Sequence, residues 1–196
     1  MKKLFVLIII LLFIVNGRSF AQKATLGVSG EVGIPTGNFG DGFTTGLGVL
    51  ASIGYNPNPH VTLTFKSGYL SFPGNDIIAT FGNYTAKVTP SWSIVPFLAG
   101  GKFYFNADAP RFYGSADLGL YLLTVSASAT ITSGNSTSSG TGSTNEADFG
   151  ISPGFGVQFQ SSEKTNVDLH LNYSTIFTSG STASWLGLGV GLNFAL

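Results

Sequence analysis

Leu186, Leu188, Val190, Leu192, Phe194 and Leu196 alternate with Trp185, Gly187, Gly189, Gly191 and Asn193 to the last residue. A strand has period two, so this places the apolar side chains on one face and mostly glycine on the other. A soluble strand would carry charges on its second face. Small residues there suit the lumen of a narrow barrel whose outer face meets lipid. The same alternation predicts seven earlier strands, at 25–34, 46–55, 61–72, 93–105, 111–123, 149–159 and 167–177. In the first, Leu26, Val28, Val32 and Ile34 oppose Gly27, Ser29, Glu31 and Gly33. In the seventh, Val167, Leu169, Leu171 and Tyr173 oppose Asp168, His170, Asn172 and Ser174. Eight strands is an even number, as single-chain barrels require. Two prolines depart from the pattern: Pro153 interrupts the sixth strand, and Pro96 is read as a bulge near the upper rim.

The connections alternate in length. Those at 56–60, 106–110 and 161–165 are short, and those at 35–45, 73–92, 124–148 and 179–184 are mostly longer. Short periplasmic turns and long outer loops are the pattern of a membrane barrel, with both termini on the inner side. Ile77 to Phe81 is expected to pair with Tyr84 to Val88 as a hairpin across Gly82-Asn83. The segment 133–144 is almost all Ser, Gly, Thr and Asn, which predicts a mobile loop. Tyr55, Phe103, Phe105, Phe112, Phe159 and Phe194 gather at the inner ends of the strands and fit an interfacial girdle.

The front of the chain is consistent with export. Met1-Lys2-Lys3, an unbroken apolar run from Leu4 to Val15 and the small-residue site Ser19-Phe20-Ala21 read as a cleaved signal peptide over 1–21, leaving a domain at 22–196. The run is shorter than the ~20 apolar residues of a spanning helix. There is no cysteine, which excludes disulfides and a lipidated cysteine. Only 9% of the 196 residues are charged, against about 25% in ordinary soluble domains. Without Lys2, Lys3 and Arg18, six basic side chains face nine acidic ones, a formal charge of −3. No basic stripe marks a nucleic-acid binder.

The segment Ile34-Pro35-Thr36-Gly37-Asn38-Phe39, followed by Thr45-Gly46-Leu47-Gly48, resembles the small outer-membrane β-barrel proteins of Bacteroidetes. So do Gly68-Tyr69-Leu70-Ser71-Phe72, Ala116-Asp117-Leu118-Gly119-Leu120 and the leader ending Ser19-Phe20-Ala21-Gln22. The mature chain is also similar to OmpA-like and OmpX-like barrels, and tethering through a peptidoglycan-binding domain is not expected. The resemblance implies an all-β, closed, antiparallel up-and-down barrel in the bacterial outer membrane. It also implies that the final strand carries the signal read by the barrel assembly machinery.

The candidate chemistry lies on the inner face, where parity places Glu31, Lys66, Lys102, Arg111, Asp117, Asp168 and His170. An eight-stranded barrel is just wide enough for its side chains to fill. These charges are therefore read as a paired network that plugs the lumen, with a narrow ion path as the alternative. Catalysis is not supported. His170, Asn172 and Ser174 share a face, but no nucleophile motif accompanies them, and His60 falls in a short inner turn. Neither a phosphate loop nor metal-ligand spacing is present, and no cofactor is implied. Phe39, Phe43, Ile77, Ile78, Phe81 and Tyr84 fall in outer loops, where they extend the strands or form an adhesive surface.

The reading that results is an integral, monomeric outer-membrane barrel with a structural or surface-interaction role. Its partners are outer-membrane lipid and, through the loops, an extracellular partner. A porin-like channel is the first alternative. A soluble exported barrel around a small apolar ligand is the second, but its glycine-rich outer face would be a poor soluble surface.

Overall fold

Alternation along the chain resolves into nine strands and one short helix in the computed structural model, which describes residues 24–134 and 136–196. The expected leader at 1–21 lies outside the described residues. In chain order the elements are β1 (Ala24–Thr36), α1 (Asn38–Gly42), β2 (Gly46–Asn58), β3 (Val61–Pro73), β4 (Ile77–Phe81) and β5 (Tyr84–Tyr104). They are followed by β6 (Arg111–Ser133), β7 (Ser136–Gln160), β8 (Thr165–Thr178) and β9 (Ser181–Ala195). The sheet order is β3-β2-β1-β9-β8-β7-β6-β5-β4, and β3 also pairs with β5. That last pairing closes eight antiparallel strands into a ring, with β4 left as an addition to β5. Closure matters because a ring has no unpaired edge over its height.

Parity sorts the side chains as the alternation demands. In β1, Leu26, Val28, Val32 and Ile34 are exposed while Gly27, Glu31 and Gly33 are buried. In β9, Leu188, Val190 and Leu192 are exposed while Gly187, Gly189 and Gly191 are buried. The outcome is an apolar belt about ten residues tall around the ring, matching the 9–11 residues of a tilted spanning strand.

Turns close where their residues allow it. Gly82 at φ 59° and Gly180 at φ 93° occupy the left-handed region in the β4–β5 and β8–β9 turns, which an L side chain enters at a cost. The expected hairpin forms, with Ile77 opposite Val88 and Phe81 opposite Tyr84. Asp76 ties its base, accepting from Lys87 at 2.8 Å and from Thr89 at 2.6 Å.

Two expectations are corrected. No bulge forms at Pro96. Pro96 faces Tyr121 in an unbroken β5–β6 register, and the β3–β5 register is the same on both sides of it (Ser67 with Phe97, Leu70 with Ile94). The proline cannot donate to the ladder, so pairing with β3 lapses there without an inserted residue. The Ser/Gly/Thr segment is not a loose loop either. Ser136 to Asp148 continue β7 and pair with β6 in the register that runs from Arg111 with Gln158 to Ser133 with Ser136. Ladder pairing satisfies the backbone without apolar burial, and Thr and Ser tolerate strand geometry. The sheet therefore rises well above the apolar belt as a four-stranded extension, β7-β6-β5-β4.

Candidate functional site in the barrel lumen

The interior has two halves of opposite chemistry. The outer half is mainly apolar, with Asp148 opposite Tyr121 as a charged exception. Leu70 and Phe72 of β3, Ile94 of β5, Leu123 of β6, Ile176 of β8 and Trp185 of β9 are buried there. α1 drops Phe39 into the same cluster, 5.2 Å from the Phe72 ring, with Phe43 and Trp92 packed beside it. Phe72 sits 5.5 Å from Trp185, which meets Tyr121 edge-on at 5.9 Å. Glycine makes the room: a methyl at Gly33 would lie 2.7 Å from the Phe72 ring. Phe39 and Phe43, expected in an outer loop as strand extension or adhesive surface, instead pack against the interior cluster. A short helix entered through Gly37 turns them inward, where the buried Phe39 ring contributes about 1.5–3 kcal/mol.

The inner half is charged. Lys66 lies 2.7 Å from Asp117, which also accepts from Thr64 at 3.1 Å. Lys102 lies 2.6 Å from Oδ2 of Asp168. Oδ1 of Asp168 accepts from the Tyr113 hydroxyl at 2.8 Å and lies 2.9 Å from His170 Nδ1. The other ring nitrogen of His170 is 4.0 Å from Glu31, whose second oxygen accepts from Trp185 Nε1 at 3.4 Å. Trp185 thus joins the two halves. Lys102 also stacks 4.3 Å over Tyr113. Arg111 lies apart from this network, at the inner mouth. It stacks 3.7 Å over Tyr104 and donates to the Pro59 carbonyl.

The glycines of β9 seat this network. His170 lies over Gly189, and Glu31 and Asn172 lie over Gly187, so a side chain at either position would collide with them. A cavity of about 180 Å³ remains among these groups, reaching from Trp185 and Tyr121 to Thr25 and Ala195 at the inner end. That space is large enough for several waters, each of which needs about 10–15 Å³ by the same measure.

His170 and Ser174 share a face but are engaged separately. His170 points to Asp168, while Ser174 shares hydrogen bonds with Ser152 at 2.9 Å and Asn172 at 3.0 Å. His60 sits in the β2–β3 turn, with Nδ1 3.0 Å from the Tyr104 carbonyl. The apolar half escaped the sequence reading, yet it left a signal. At Tyr69-Leu70 and Leu122-Leu123 both parities are apolar, as in strands buried on two faces.

Compared with known proteins, residues 5–194 match the family model described as outer membrane protein beta-barrel domain. No curated protein matches the sequence. A major outer membrane protein from Thermus thermophilus has a similar fold, with a TM-score of 0.50 at 11% identity over 87% of this chain and 98% of that one. Neisserial surface protein A gives 0.47 at 12% identity, over 88% and 97%. Ail, the attachment invasion locus protein of Yersinia pestis, gives 0.40 at 15% identity, over 88% and 97%.

Proposed function

Since this chain belongs to the outer membrane protein beta-barrel domain family, we propose that it is a sealed barrel whose work is done at the cell surface. The observation that carries this reading is the apolar cluster across the outer half of the lumen. An ion entering from the inner cavity meets Trp185, Phe72 and Phe39, all buried in one apolar cluster. Crossing such a dry plug carries a desolvation cost that no channel lining offsets. The charged inner half supports the closed state by pairing its ions, as a narrow lumen requires.

The rest of the reading follows from position. The outward residues of β9, Leu186 to Leu196 at alternate positions, face lipid and offer the assembly machinery its signal. The barrel acts as a monomer. Any partner outside the cell meets the four-stranded extension. Its lumen-side face carries Ile77, Phe81 and Tyr84 of the β4–β5 hairpin and Ile131 of β6, with Phe81 73% exposed.

Planar-bilayer recording tests the sealed lumen. Purified protein should add no stepwise conductance. A sustained open level in the unmodified protein would overturn the reading in favour of a narrow channel.

A further inference from the structure

Above the belt, the outward face of the sheet changes character within one residue pair. The last apolar row includes Val95 and Leu122, which face each other across β5 and β6. The next outward row is Ser93, Thr124 and Asn145, and the one above it is Ser91, Ser126 and Ser143. The register continues without a shift to Thr85, Thr132 and Thr137. Parity never slips, so these side chains share the face that meets lipid below. Apart from Asn145 and Lys87, they form a lattice of hydroxyls about 4.8 Å apart across strands and about 6.8 Å apart along them.

The lattice is close to neutral. On β5 to β7, Lys87 is its one charged member among the described residues, and Asp76 neutralises it at 2.8 Å. Ile78 beside it, on β4, is the one large apolar departure. A face of hydroxyls both donates and accepts, and it offers no free cation for phosphate. Its complement is a surface of further hydroxyls, which is a neutral saccharide.

Height identifies the source. Eight residue steps from Ser93 to Thr85 span about 27 Å along the strand, or about 20 Å of height at the tilt of a barrel strand. The headgroup layer of an ordinary bilayer is only about 5–8 Å deep on each side. A phospholipid headgroup would meet the first row or two and leave the rest in water. We propose that this hydroxyl lattice is a docking face for the oligosaccharide headgroup of lipids surrounding the barrel, several sugar units tall. Continuity of the face with the lipid belt carries the assignment. Tyr69 marks the junction, its hydroxyl 2.7 Å from Ser93 Oγ. The proposal rests on membrane placement and not on the sealed lumen, so conductance data bear on the latter alone.

The test uses full-length mature protein in phosphatidylcholine nanodiscs doped with a neutral tetrasaccharide-headed ceramide or with the single-sugar ceramide. Native mass spectrometry then counts the lipids retained on release. The tetrasaccharide lipid should be retained more than the single-sugar lipid. Retention should fall about tenfold in Ser126→Ala/Ser128→Ala/Thr130→Val, the loss that one or two hydrogen bonds would give. The boiled-versus-unboiled gel shift verifies that the variant folds, and Thr141→Val/Ser143→Ala on β7 replaces it if it does not. Ala127→Ser/Ala129→Ser, on the opposite face, should retain lipid normally. Equal retention of the two glycolipids, or unchanged retention in both hydroxyl-deleted variants, overturns the proposal. Complete displacement by an equimolar free tetrasaccharide would overturn the lipid source and point to a soluble glycan.

Discussion

Replacing Lys102 by Met removes one partner of the most enclosed ion pair in the barrel. The lysine and aspartate side chains are 12% and 4% exposed, and they meet at 2.6 Å. The two oxygens of Asp168 are served unequally. Oδ1 keeps the Tyr113 hydroxyl and His170, whereas Oδ2 has Lys102 as its one described donor. Met fills a similar volume, so the substitution leaves a buried carboxylate oxygen without a partner rather than a large void. Removing one member of a buried pair costs about 3–5 kcal/mol. The cavity beside Asp168 is large enough to admit water, which places the expected loss at the lower end, about 3 kcal/mol. The double variant Lys102→Met/Asp168→Leu removes both charges and should recover part of the loss: the unpaired buried charge is gone, while the Tyr113 hydroxyl loses its acceptor. Reversible urea unfolding in vesicles, followed by the gel shift, measures all three proteins. A single variant that loses less than about 1 kcal/mol would mean that Asp168 is solvated as an exposed pair is. A double variant less stable than the single would refute the pairing argument itself.

Leu188→Arg, near mid-belt on β9, should cost about 2–4 kcal/mol in vesicle refolding if that face meets lipid; wild-type stability would contradict the outward assignment. Gly189→Val drives a side chain into the space of the His170 ring, and should abolish the close approach of His170 to Asp168, read from the imidazole proton resonances. The Asp76 carboxyl is held below its usual value of 3.8 by the hydrogen bonds from Lys87 and Thr89. A depressed folded pKa contributes stability above the unfolded value, and that contribution is lost as pH falls below 3.8 through the folded value. The hairpin should therefore be insensitive to pH between neutrality and about 5 and loosen in stronger acid. A carboxyl carbon titration of Asp76 should show a low midpoint that rises in Lys87→Met.

The barrel was legible in the sequence because period two survives any register. Leu26 to Ile34 and Leu186 to Leu196 announce an outward face before any neighbour is known. Pairing was not legible. Parity places Lys66 and Asp117 on one interior face, but their contact depends on the β3–β5 closure that brings residue 66 beside the β5–β6 pair. The plug was hidden for another reason. Phe72 and Trp185 stand at positions of polar parity, where a lumen expected to be polar has no use for them. Phe39 had no parity because α1 lies outside the strands. Ser133 to Thr144 misled through composition. The alternation of Val125, Ala127, Ala129 and Ile131 with Ser and Thr was the strand signal, and it lies in β6, the partner, rather than in the glycine-rich segment itself.

That alternation also locates the membrane. A strand in unbroken register cannot rotate its faces, so a change of surroundings has to be written as a change of pattern. In β6 the outward series Leu118, Leu120, Leu122 gives way to Thr124, Ser126, Ser128, while the inward series passes from Asp117 to Val125 and Ile131. Outward polarity and inward polarity thus invert within the same strand. A purely soluble sheet has no reason for the lower half of this pattern, and a purely spanning sheet has none for the upper. The inversion fixes the outer boundary of the hydrocarbon to the step between Leu122 and Thr124. The aromatic cluster lies on the inner face just below that step, where Trp185 faces Ser174 of β8 and Pro35 of β1. On the sealed-barrel proposal, the lumen closes at the depth of the outer lipid leaflet, beneath the mouth of the extension. A molecule arriving from outside would then meet a shallow apolar floor rather than a pore, with the charged cavity beneath it.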